Sequence, residues 1–198
     1  NLNLEIYKEI KCIHFGAATG FLDGALKDTY YQLLINAVAD GKIVSFDPNY
    51  RSAFWSNDKT GFKEAIEPFM KYANLVKLSD EEAQIITGES EVEKASEYLR
   101  SKYEATFCIT LGEKGVLIFN RLWQLIVSAP TVDVIDTTGA GDAFVGALLY
   151  KLNGDSEDES VLKNQDKMKQ YAEFANKVAA DVCTELGALT ALEHIITQ

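Results

Sequence analysis

Asp136-Thr137-Thr138-Gly139-Ala140-Gly141-Asp142-Ala143-Phe144 places a glycine-rich turn, a helix start and a carboxylate within one short stretch. The first backbone N–H groups of a helix have no intrahelical partner and lie at the positive end of its dipole. Gly139 and Gly141 carry no side chain to block them, so an anion can approach those donors. Asp142 would then stand beside the anion. A carboxylate repels phosphate in a plain anion site, and it makes better sense as the acceptor of a proton from an attacking hydroxyl. A second local reading stays open, in which the glycines only shape the turn and Asp142 is a favourable acid in the first helical turn.

Two other phosphate loops are excluded. No G-x-x-x-x-G-K-[ST] occurs, which argues against a P-loop NTPase. Gly139 to Phe144 has Phe where the dinucleotide fingerprint needs Gly or Ala, and it lies late in the chain, which disfavours a nicotinamide-binding domain.

The elements that must position this stretch follow from periodicity and breakers. Strands are expected at Lys11–Phe15, Ile43–Phe46, Leu75–Leu78, Thr106–Ile109 and Val132–Ile135. Helices are expected at Leu26–Ala39, Phe62–Tyr72 with Pro68 as a local flaw, Glu81–Thr87, Val92–Tyr103, Ala143–Leu152 and Tyr171–Cys183. Val116–Phe119 and Gln124–Val127 read as a hairpin closed around Asn120 and Arg121. Gly154 to Ser160, with four acids in seven residues, reads as a solvated loop. Strands alternating with helices predict an α/β fold with a parallel sheet in a single domain over residues 1–198.

Four unusual segments fall just after strands on this plan: Asp47-Pro48-Asn49-Tyr50-Arg51, Ser79-Asp80-Glu81-Glu82, Thr110-Leu111-Gly112-Glu113-Lys114-Gly115, and Asp136 to Asp142. In a parallel sheet the carboxyl edge is where ligands bind. Each segment also has a plain structural reading. Asp47-Pro48-Asn49 suits a turn, and Ser79 with Glu82 is a capping box. Thr110-Leu111-Gly112 suits a βα or hairpin turn. Arg51 is a surface charge or a phosphate clamp, and Glu82 near a nucleotide could hold Mg²⁺ through water. His14 and His194 lack a second ligand at metal spacing and read as structural.

Composition bounds the partners. The 198 residues carry a net charge of -11, which argues against nucleic-acid and anionic-membrane partners. Cys12, Cys108 and Cys183 show no C-x-x-C spacing and read as reduced cysteines of a cytoplasmic protein. No apolar run approaches the roughly 20 residues of a membrane span.

These segments resemble the ribokinase-like (PfkB) family of carbohydrate kinases, and its fructokinase branch in particular. The likeness covers nearly the whole chain in the family's order, with Phe54-Trp55 and Asn176 to Ala188 added to the motifs above. It implies a three-layer α/β/α fold with a mostly parallel sheet, and ATP-dependent phosphorylation of a sugar hydroxyl. Asp142 would be the catalytic base, and the N–H groups of Gly139, Ala140 and Gly141 the anion hole. Thr110 and Gly112 would lie along the nucleotide phosphates and ribose, with Gly115 in the same loop, while Asn176, Gly187 and Ala188 would border the adenine. Arg51 would face the phosphates or the sugar, Glu82 would support Mg²⁺ through water, and Asp136 matches a position linked to a monovalent cation such as K⁺.

Against the family pattern Ser79 stands where Asn is usual. The chain corresponds to the C-terminal two thirds of a family member, so the first strands, the small β lid and a Gly-Gly sugar-binding segment are expected to be missing. The resemblance further implies a homodimer for the full-length protein. Fructose is the favoured substrate. The alternatives are 2-keto-3-deoxygluconate, through a shared Asp-x-Asn-x-Arg-like segment, and a catalytically incomplete nucleotide-binding fragment.

Overall fold

The computed structural model describes residues 4–21, 24–155, 159–188 and 190. By internal contacts the chain divides into two compact units, residues 1–107 and 108–198.

The first unit is built on parallel strands. β1 (Cys12–Gly16) pairs with β2 (Ile43–Asp47) from Cys12 opposite Ile43 to Gly16 opposite Asp47, and β2 pairs with β3 (Leu75–Ser79). All five residues of β2 are buried, which is how a strand covered on both faces reads. The helices are α1 (Leu4–Glu9), α2 (Ala25–Ala39), α3 (Ser52–Trp55), α4 (Lys59–Tyr72), α5 (Asp80–Thr87) and α6 (Val92–Lys102). α4 buries Phe62, Ile66, Phe69 and Met70, a stripe at three- and four-residue spacing, and it runs through Pro68. Phe69 packs on Phe15, Phe21 and Phe46 with ring centroids 5.0–5.2 Å apart, and this aromatic cluster is the centre of the unit's core. Parallel strands alternating with helices bear out the expected α/β class.

β4 (Thr106–Thr110) carries the chain into the second unit. β5 (Val116–Phe119) and β6 (Gln124–Val127) form the expected antiparallel hairpin. Asn120 Oδ1 accepts the N–H groups of Leu122 and Trp123 and so closes its loop. α7 (Ala140–Asp155) and α8 (Gln165–Val182) pack on each other, with Phe144, Leu148 and Leu152 buried along one face of α7.

Two expectations are corrected. Val132–Ile135 is not a strand. Val134 and Ile135 are 59% and 66% exposed, and the N–H groups of Ile135 and Asp136 both donate to Cys183 O, at 2.8 and 3.2 Å. The N–H of Ile135 is thus taken by the end of a helix rather than by a strand ladder. Gly154 belongs to the last turn of α7 and Glu159–Lys163 is a 3₁₀ turn, so the acidic stretch is not wholly loop. α1 and α3 had no counterpart in the sequence reading. The three cysteines are free, and His14 bonds Ser45 Oγ at 3.0 Å, while His194 lies outside the described residues. No helix among the described residues is long and apolar enough to cross a membrane.

Candidate active site

In the second unit α7 begins at Ala140, inside the glycine-rich turn. Gly139 has φ 83, and a Cβ there would lie 2.5 Å from Ala188 Cβ, so both conformation and space demand glycine. The Ala140 N–H reaches Thr137 O at 3.2 Å, and the Ala143 N–H reaches Gly139 O at 2.8 Å. The N–H groups of Gly139, Gly141 and Asp142 have no acceptor among the described residues. The donors open to an anion are therefore Gly139, Gly141 and Asp142, with Ala140 already engaged. The Asp142 side chain is exposed in the first turn of α7.

Asp136 braces this turn. Its Oδ1 accepts the Thr138 N–H at 2.9 Å and its Oδ2 the Gly187 N–H at 3.0 Å. These bonds, led by those from Thr138, hold its carboxyl below the ordinary range. Together with Cys183 O they tie the segment 135–138 to the end of α8 and to the Gly187 turn, where Gly187 has φ 90.

A cavity of about 540 Å³ opens beside the turn. Thr110, Gly112, Gly115, Asn176, Ala140 and Gly141 all line it, as the sequence reading required of a nucleotide site. Gly139, Asp142, Gly187, Ala188 and Asp136 are not part of its lining. Gly115 has φ 95, and a Cβ there would run into the Val127 carbonyl. Asn176 is buried, and its Nδ2 donates to Val127 O at 2.9 Å and Ser128 O at 3.2 Å, so the side chain clamps β6 to α8 from inside the wall. Sequence reasoning missed Lys114, an exposed cation at the cavity, although its loop was singled out. It also missed the apolar wall of Pro130, Val132, Val134, Phe144 and Ala179. The spacing of Phe144 on α7 could have pointed to it.

Arg51 and Glu82 belong to the first unit. Arg51 is exposed at the N-cap of α3, and no ion pair holds its guanidinium among the described residues. Glu82 is buried; its Oε1 accepts the Tyr50 N–H and its Oε2 the Ser79 N–H, each at 2.8 Å. The Ser79–Glu82 capping box is complete. Each of its oxygens thus already accepts one backbone N–H. No group of three or more His, Cys, Asp or Glu side chains among the described residues could hold a metal directly.

An α/β fold whose helix N-terminus offers free amides beside a small-molecule cavity, with a carboxylate next to them, suits the binding of a phosphate-bearing small molecule. Residues 2–195 match the pfkB family carbohydrate kinase description, and the chain belongs to that family. It is 32% identical over 193 residues to the probable fructokinase-4 of Arabidopsis thaliana, covering 96% of this chain and 57% of that protein. To fructokinase-2 of Zea mays it is 30% identical over 197 residues, covering 99% and 57%. Among solved structures it is similar to the fructokinase of Vibrio cholerae O395 bound to fructose, ADP and calcium ion. That superposition has a TM-score of 0.82 and 32% identity over 91% of this chain and 57% of that one. Aminoimidazole riboside kinase of Salmonella enterica, complexed with aminoimidazole riboside and an ATP analogue, superposes with TM-score 0.82 and 31% identity over 95% and 62%. The chain thus spans a little over half the length of these relatives.

Proposed function

We propose that this chain is the nucleotide- and phosphoryl-handling part of an ATP-dependent sugar kinase, with fructose as the favoured acceptor and fructose 6-phosphate as product. The observation that carries the reading is the set of open amides at Gly139, Gly141 and Asp142 beside the cavity. The nucleotide would lie along Thr110, Gly112 and Gly115 with its base toward Asn176 and the Gly187-Ala188 turn. Asp142 takes the proton from the sugar hydroxyl as that oxygen attacks the γ-phosphorus and the bond to ADP breaks. The amides stabilise charge on the transferring oxygens, and Arg51 is read separately as a cation that would face the phosphates or the sugar. Phosphoryl transfer asks little more of a protein than such positioning and charge stabilisation.

Glu82 would hold Mg²⁺ through water, and the ion would supply neutralisation of phosphate charge. Asp136 fits a monovalent cation such as K⁺, since its exposed carboxylate is held ionised by hydrogen bonds. A cytoplasmic setting and a homodimer of the full-length protein belong to the same reading. The similar proteins that bind fructose with ADP, or a riboside with an ATP analogue, support a sugar-like acceptor.

The test is ADP release by the full-length protein on a panel of sugars. Turnover on fructose is the expected result. Turnover on 2-keto-3-deoxygluconate instead would move the assignment to that kinase, and ATP binding without turnover on any sugar would make the protein a nucleotide-binding module.

A further inference from the structure

Two charged side chains deep in the first unit have no part in the reaction above. Lys77 lies within β3 at 7% exposure, between the buried Val76 and Leu78, and Asp47 ends β2 at 1% exposure. Lys77 Nζ donates to Asp47 Oδ2 at 3.1 Å. A buried ion pair adds little or nothing to stability over an apolar pair of the same volume, so its presence calls for another reason.

That reason lies on the other carboxylate oxygen. Asp47 Oδ1 accepts the Asn49 N–H at 3.1 Å, and Asn49 stands at φ 43, a left-handed conformation that Asn tolerates better than most residues with a Cβ and that this bond helps to hold. The next N–H, of Tyr50, goes to Glu82 Oε1. Two buried carboxylates therefore grip successive amides, and Arg51 follows at once. Glu82 is fixed by its own capping box. Among the bonds described, Asp47 is fixed by Lys77.

We propose that Lys77 is a positioning residue: by pairing with Asp47 it locks the Asp47–Arg51 turn and so presents Arg51 to an anionic group of the substrate. The role of Arg51 rests on the kinase reading; the locking of the turn does not. The charged groups facing Asp47 are Lys77 from β3 and Glu82 from α5, and they oppose each other. Burial pushes the Asp47 carboxyl up to about 6, Lys77 pulls it down and Glu82 raises it. Without the ammonium Asp47 would be neutral over more of the pH range and would accept the Asn49 N–H more weakly.

The experiment compares Lys77→Met with Asp47→Asn/Lys77→Met in the full-length protein; the double variant removes the unpaired buried charge and folds even where the single one does not. Amide hydrogen exchange at Asn49 is expected to speed up about tenfold or more in each folded variant, the worth of one charge-assisted hydrogen bond. The KM for ATP should rise about tenfold with kcat much less altered, while the KM for fructose, a neutral sugar, stays unchanged. Adding Arg51→Ala should then bring little further loss, because both changes act through one group. Unchanged Asn49 exchange would overturn the proposal, as would effects of Lys77 and Arg51 that simply multiply. If the wild-type protein transfers no phosphoryl group, the kinase reading fails, and Asn49 exchange alone decides whether Lys77 locks the turn.

Discussion

The Asp47–Arg51 turn and the Gly139–Asp142 turn each combine carboxylates with backbone N–H groups, and they use them in opposite ways. In the first, buried carboxylates of Asp47 and Glu82 accept the N–H groups of Asn49 and Tyr50, so the turn is satisfied internally. In the second, the N–H groups of Gly139, Gly141 and Asp142 find no acceptor among the described residues, and the acid beside them is exposed. A satisfied turn contributes rigidity. An unsatisfied one at a helix N-terminus is open to a ligand that brings its own negative charge. Perturbing the first should therefore act through stability and the placing of Arg51, and perturbing the second should act directly on phosphate binding and turnover.

The largest effect expected is on turnover. Asp142→Asn should lower kcat by roughly 10²–10⁴ with the denaturation midpoint unchanged, because a positioned base contributes about that much. Parallel rate and melting measurements check this, and a loss of stability matching the loss of rate would erase the contrast. Gly139→Ala comes next. Its φ of 83 and the crowding against Ala188 should cost on the order of 1–3 kcal/mol, expressed as weaker nucleotide binding as the Gly187-Ala188 turn is pushed aside. Nucleotide affinity by calorimetry reads it.

The third prediction concerns pH and the satisfied turn. Asp47 is raised from 3.8 to about 6 in the folded protein, chiefly by burial. The folded state then holds its proton more tightly than the unfolded chain does, so this contribution is fully present below about 4 and is lost as pH rises through about 6. Wild type should accordingly gain stability relative to Asp47→Asn between pH 6.5 and 4, by on the order of 2 kcal/mol. Urea midpoints across that window test the sign. The smallest effect is Ser79→Ala, which removes the cap of α5 at about 1 kcal/mol and should leave nucleotide binding intact.

The two turns were unequally legible in the sequence. Gly139 to Asp142 could be read from residue types alone, since glycine spacing and an acid at a helix start report directly on backbone donors. The partners of Asp47 could not be. Lys77 sits in an apolar strand 30 residues away, and only the parallel register of β2 with β3 brings the two together. Val132–Ile135 misled because its apolar residues have strand-like composition, while their exposure and their bonds to Cys183 O depend on where α8 ends. α3 was missed because four residues are too few to show a helical period. Asn176 was placed at the site by resemblance; its bonds to Val127 O and Ser128 O are long-range and leave no trace in local pattern.

The contrast between the turns rests most directly on the open amides, and NMR can observe them one by one during titration with a non-hydrolysable ATP analogue. Binding should shift the Gly139, Gly141 and Asp142 amide resonances strongly and protect them from exchange, while Asn49 and Tyr50 keep the protection they already have. Saturation of the cavity with those three amides unmoved would contradict the account.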